Sequence, residues 1–290
     1  MARAARGFTL IEAIVVMLIV AVLALAVAVF LPAPVRGYLD TVRRLEMADT
    51  ADTALRRIAR DVRLALPHSV RVDASGLFLE FLPLKAGGRY RDDESCFSAG
   101  CTSLQTMGDM LTNAQVVAGS DRVSVYNTYN NSGGDCSASL PSAYCPPSSG
   151  VTTLTSVAGT GSTSNTLNFG NTTFQPPGGS PTRRVFIIAA SPVTYACDAA
   201  NGVLWRIAGY ASQPTQPTSL AAAPLATATS RTRLATRVTC PAIVPGSVPP
   251  RFSYTAGASE RYGLLSAWIT LQDSGESVSL LHQIHVDNTP

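Results

Sequence analysis

At 290 residues, with 46% hydrophobic and only 14% charged side chains, the chain is long and apolar enough to bury a core in one or two units, which excludes a wholly disordered protein. Its formal net charge of +3 falls to +1 if residues 1–7 are removed, because Arg3 and Arg6 leave and no acid leaves with them. So small a balance makes no case for a nucleic-acid partner, and none is expected.

Ala13 to Leu31 is an unbroken run of nineteen apolar residues, which as a helix reaches ~28 Å and matches the hydrocarbon thickness of a bilayer. Arg3 and Arg6 precede it, and the positive-inside tendency keeps them cytoplasmic while the rest of the chain goes outward. A discarded secretory signal would place small residues at a cut site after the run. Phe30-Leu31-Pro32-Ala33-Pro34 offers a poor one. The informative stretch lies before the run and reads Arg6-Gly7-Phe8-Thr9-Leu10-Ile11-Glu12.

That stretch resembles the type III signal of the type IV pilin family, and the resemblance extends over roughly Arg6 to Leu66. It implies that a prepilin peptidase cuts between Gly7 and Phe8 and methylates the new Phe8 amine. Residues 1–7 are then a leader, and 8–31 a transmembrane helix that later lines a filament core. Gly7, with no side chain, suits an extended entry into a protease cleft. Glu12 becomes the fifth residue of the mature chain, where the resemblance implies pairing with the free amine of a neighbouring subunit. The physical case agrees, since a carboxylate at that depth costs roughly 2.5–3.5 kcal/mol. The implied partners are the inner membrane, the prepilin peptidase and other major and minor pilins, with an assembly ATPase and platform protein acting indirectly.

Pro32 and Pro34 are expected to kink or interrupt the helix, with an amphipathic pattern resuming near Tyr38. Leu45, Ala48, Ala51, Leu55, Ile58, Val62 and Leu66 recur at spacings of three or four and predict one packing stripe, ended by Pro67. Residues 32–66 are thus read as an amphipathic stem and 67–290 as an exported head. In the head the period changes to two. Ser69–Val72 and Leu77–Leu82 flank the turn residues Asp73-Ala74-Ser75-Gly76 and predict a hairpin. Arg184–Ala190 and Val203–Tyr210 are further strands, and Leu265–Leu271 with Ser277–Val286, joined through Asp273-Ser274-Gly275-Glu276, predict a C-terminal hairpin. Asn127–Ser180 and Gln213–Ser230, rich in Gly, Ser, Thr, Asn and Pro, are expected to be surface loops that do not divide the head. The fold class expected is α+β, with a long N-terminal helix, transmembrane half then amphipathic half, packed on a mainly antiparallel β-sheet head as in pilins.

All six cysteines, Cys96, Cys101, Cys136, Cys145, Cys197 and Cys240, lie beyond the apolar run, which points to an oxidising compartment such as the periplasm. Sequence order favours Cys96–Cys101, Cys136–Cys145 and Cys197–Cys240 among fifteen connectivities, because near neighbours meet at least entropic cost. The histidines are His68, His282 and His285, and no close pair of Cys-x-x-Cys motifs accompanies them, so neither a metal nor another cofactor is expected. No nucleophile–base constellation or phosphate loop emerges, and an enzyme is not expected. Asp52–Arg63 with Leu64–Val72, and the ending His282–Asn288, resemble the minor prepilins of mannose-sensitive haemagglutinin pili. A minor pseudopilin of type II secretion is the alternative. So is a tip subunit with an adhesive or DNA-binding role, for which Arg183-Arg184 and an exposed Tyr126 or Tyr129 are weak signals.

Overall fold

The computed structural model describes residues 7, 9–30, 32–91, 95–111, 115–131, 133–134, 136, 142–145, 150–159, 161, 163–240, 252–256 and 261–290. Helix α1 spans Leu10–Phe30 and buries none of its residues. By length and composition it is able to cross a membrane. Helix α2 spans Pro32–Arg63. It begins well before Tyr38, because a proline in the first turn of a helix forfeits no intrahelical bond. The helix runs through Pro34, so the interruption expected there does not occur, and Pro32 opens α2 next to Leu31, which lies outside the described residues.

One stripe of α2 is buried, formed by Met47, Ala51, Ala54, Leu55, Ile58, Ala59 and Val62. This corrects the expected stripe at one end, for Leu45 is 65% exposed. At about 100° per residue, Leu45 lies more than half a turn from Met47, and Met47 is the residue that continues the Ala51–Ile58 line. The helix also stops three residues short of Leu66. Ala65 forms a β-bridge with Pro83, and the Leu66 N–H donates to the Leu82 carbonyl at 2.8 Å, so the backbone leaves the helix to join a sheet edge.

The head opens with β1 (Arg71–Val72) and β2 (Phe78–Phe81), the expected antiparallel hairpin. Next come β3 (Leu84–Tyr90), the single turn α3 (Ser95–Ser98), β4 (Cys101–Met107), β5 (Arg122–Val125), β6 (Val151–Ala158), β7 (Thr166–Thr172) and β8 (Arg184–Ile188). These strands close into a barrel in the order β3-β4-β7-β6-β5-β8. Its core, including Phe97, Leu104, Leu154, Phe169, Phe174 and Ile187, is separate from that under α2. Two strands of this barrel, β6 and β7, lie inside the Asn127–Ser180 stretch expected to be loop.

The chain then returns through β9 (Val193–Asp198), β10 (Val203–Ala208) and β11 (Ser230–Ala235), which complete a five-stranded sheet ordered β1-β2-β9-β10-β11. Finally β12 (Phe252–Ala256), β13 (Tyr262–Asp273) and β14 (Glu276–Asp287) make a three-stranded sheet. The β13–β14 hairpin pairs without a bulge from Tyr262↔Asp287 to Asp273↔Glu276. Ser274 and Gly275 both have positive φ, the turn geometry that matches strand twist. The buried stripe of α2 packs into one core with inward residues of both sheets, among them Phe81, Tyr195, Leu265, Ile269 and Ile284. The protein is therefore α+β, with an uncovered apolar helix followed by an amphipathic helix on antiparallel sheets.

Candidate functional site: a free N-terminal helix and its anchorage

Gly7, Thr9 and Glu12 are exposed at the start of the chain, while Phe8 and the leader residues Arg3 and Arg6 lie outside the described residues. Glu12 sits in the first turn of α1, and its backbone N–H donates to Thr9 Oγ1 at 3.4 Å. Thr9-x-x-Glu12 is thus the sequence of a capping box, in which the threonine satisfies a free N–H of the helix end. An acid there also faces the positive end of the helix dipole. Any residue other than proline at position 12 would supply that N–H, so the dipole is what favours an acid there apart from any neighbour. Beyond it, every described side chain of α1 is exposed, including Ile14, Met17, Leu18, Leu25 and Phe30.

What α1 is joined to is firmly held. Asp61 on α2 accepts from Arg206 Nε of β10 at 2.7 Å and from the Tyr195 hydroxyl of β9 at 2.8 Å, and pairs with Arg57 at 3.2 Å. Burial first, then the Asp61 charge, pushes the Tyr195 hydroxyl well above its ordinary value, so it stays a donor. Arg44 pairs with Glu276 at 2.6 Å, linking α2 to the tip of the β13–β14 hairpin.

A second polar cluster lies deeper. Arg71 and Glu80, cross-strand partners on β1 and β2, are both 0% exposed and meet at 2.8 Å. Arg71 also donates to the carbonyls of Asn131, Gln213 and Pro214, and its guanidinium lies 3.6 Å over the Tyr144 ring. The Tyr210 hydroxyl donates to Glu80 Oε1 at 3.0 Å. Burial raises the Glu80 carboxyl above its ordinary range, opposed by Arg71 and Tyr210. One arginine so ties the hairpin to two loops far along the chain.

The cysteines are joined as Cys96–Cys101, Cys136–Cys145 and Cys197–Cys240. The first links α3 to the start of β4, the second closes the loop beside Arg71, and the third fastens β9 to the segment after β11. His282 is half-buried on the α2-facing side of β14 and borders a cavity with Arg56, Ala59 and Arg60, whereas His285 is exposed on the other face. The residues weighed as DNA contacts do not converge. Tyr126 and Tyr129 are half-buried rather than exposed, Arg183 and Tyr129 line different cavities, and Arg184 donates to the Thr289 carbonyl.

The prokaryotic N-terminal methylation motif matches residues 2–28. No curated protein and no solved structure matches the chain. The motif gives the chain a type IV pilin or pseudopilin-like N-terminus. It implies a subunit processed by prepilin peptidase, anchored in the inner membrane before assembly, and assembled with other pilins. Such subunits are structural and not enzymes.

Proposed function

We propose that the chain is a minor pilin-like subunit of a type IV pilus of the mannose-sensitive haemagglutinin kind, resembling the subunit MshO. Residues 1–7 are the leader, 8–31 the membrane and filament-core helix, 32–66 the stem and 67–290 a periplasmic head. The peptidase cuts between Gly7 and Phe8, the Phe8 amine is methylated, and Glu12 pairs with the amine of a neighbouring subunit. An assembly ATPase and platform protein supply the work of extraction.

The observation that carries this reading is that α1 begins with the methylation motif and leaves its whole apolar surface uncovered by the head. Such a surface needs lipid or sibling helices around it. The narrower assignment rests on the resemblance of Asp52–Arg63 with Leu64–Val72, and of His282–Asn288, to the haemagglutinin-pilus prepilins.

The test separates the two roles of Glu12. Glu12→Gln keeps a side chain able to cap the helix and removes the charge, while Glu12→Ala removes both. We expect the native protein to have lost residues 1–7 and gained one methyl group by intact mass. Both variants should be processed alike, and both should enter filaments poorly. Normal incorporation of Glu12→Gln would reject the pairing role, and native protein still beginning at Met1 would reject the whole reading.

A further inference from the structure

The side of α2 turned away from the core carries Glu46, Asp49, Thr53, Arg56, Arg60 and Arg63, all exposed. Their spacings of three, four, three, four and three residues put them on one stripe, nearly opposite the buried line through Ala51 and Ile58. The stripe is polarised, with acids toward the membrane helix and bases toward the head. Arg56 has Asp52 at 2.7 Å beside it, but Glu46, Asp49, Arg60 and Arg63 form no ion pair among the described residues. The arginines also stand between two hollows. A cavity of about 480 Å³ is bounded by Arg60, Arg63, Leu64 and His282, and one of about 400 Å³ by Thr53, Arg57 and Leu234.

From these observations we propose that α2 of a second copy of this chain docks parallel on this stripe, displaced along the axis so that its Glu46 and Asp49 lie against Arg56, Arg60 and Arg63. The centres of the acidic and basic groups are about twelve residues apart, which sets the displacement at about 18 Å. The parallel sense rests on the proposed function: two chains whose α1 helices share one membrane and one filament must point the same way. In that sense an unshifted pairing sets acid against acid and base against base, so the charges disfavour it. The contact joins different patches of the two copies, the acids of one against the bases of the other. Exposed ion pairs are individually weak. The stripe therefore fixes the stagger, and the apolar surface of α1 supplies the affinity. It also follows that the chain is present at least twice, side by side.

The experiment uses the full-length chain in its own filaments. All cysteines among the described residues are already paired, so two tagged forms, Asp49→Cys and Arg60→Cys, are co-produced and oxidised. A covalent dimer containing one of each is expected, with little dimer from either alone. A separate series reverses the charges. Glu46→Arg with Asp49→Arg, or Arg56→Glu with Arg60→Glu and Arg63→Glu, should each lower recovery in sheared filaments by about fivefold, and all five together should restore it.

Intact mass of each variant reports leader loss and disulfides, which guards against misfolding. A cross-link to a chain of different mass, a five-fold variant no better than the worse partial one, or reversals without effect would overturn the proposal. If the unaltered protein is itself unprocessed or missing from filaments, the proposed function fails instead.

Discussion

Replacing Arg71 with methionine preserves much of the side-chain volume and removes the charge, leaving Glu80 with only the Tyr210 hydroxyl as a side-chain donor. Breaking a buried pair from one side typically costs about 3–5 kcal/mol, a large part of the ~5–15 kcal/mol that holds a domain together. The sign with pH follows from Glu80. Its folded-state value is raised by burial and held back chiefly by Arg71, so losing the arginine raises it further. A carboxyl with a raised folded value contributes its stability below the unfolded value and loses it as pH climbs through the folded one. The variant should therefore lie closest to the parent near pH 5 and farthest near pH 8. Each unit by which the folded value has risen is worth at most about 1.4 kcal/mol. Denaturant titration of the full chain in detergent, followed by the fluorescence of Trp205 and Trp268, measures this. Adding Glu80→Leu to Arg71→Met should recover the pH-dependent part of the loss and flatten the pH dependence, while the carbonyls of Asn131, Gln213 and Pro214 stay without the Arg71 donor. A cost below about 1 kcal/mol at pH 8, or an equal cost at both pH values, would refute the argument from burial.

The same titration tests two other contacts. Removing the Cys197–Cys240 bridge, which spans 43 residues, should cost about 4 kcal/mol on the loop-entropy account, and removing Cys96–Cys101, which spans 5, about 2 kcal/mol. Equal losses would mean that loop length is not what the bridges act through. Tyr195→Phe deletes the hydroxyl donor to Asp61 while Arg206 remains, and a loss of about 1–2 kcal/mol is expected. A loss under about 0.5 kcal/mol would show that Arg206 and Arg57 satisfy the carboxylate without the hydroxyl.

The parts of the fold legible in the sequence are those whose cause is local. The Gly7–Glu12 stretch and the apolar run are contiguous, and the last hairpin announces itself by alternation on either side of Ser274-Gly275. The barrel strands β6 and β7 read as loop in the sequence because they are built from Thr, Ser and Asn with few apolar anchors. Val151, Leu154, Leu167 and Phe169 are the residues that point into the core. Pairing within a closed barrel satisfies the backbone whatever the outward residues are, so composition was a poor guide there. Nothing local to Arg71 marks it as buried. Its partners Gln213 and Pro214 lie more than 140 residues away, and no spacing rule reaches that far. The exposed charge stripe on α2 was readable at spacings of three and four. Interspersed charges on a helix usually mean a solvated face, so spacing alone does not mark it as a contact.

On the proposed function, a subunit drawn by its N-terminal helix loads α2 along its axis, and the question is what stops the helix sliding over the sheets. Apolar packing resists through the fit of large and small side chains. A slip of one turn, about 5.4 Å, brings residue i+4 to the place of residue i, and Ala51 would pass its site to Leu55, and Leu55 to Ala59, with apolar atoms still facing apolar atoms. The polar contacts have no such degeneracy. One turn from Asp61 is Arg57 or Ala65, and a shift would set an arginine against Arg206 or leave Tyr195 and Arg206 without an acceptor. Arg44 would likewise lose Glu276 to Ala48 or Asp40. Asp61 thus works as the pin that fixes the helix register, and the exposed Arg44 pair, some 26 Å away at 1.5 Å per residue, adds a weaker one. The apolar stripe supplies adhesion and the pins supply position, a division that suits a helix with a free apolar end and a folded load.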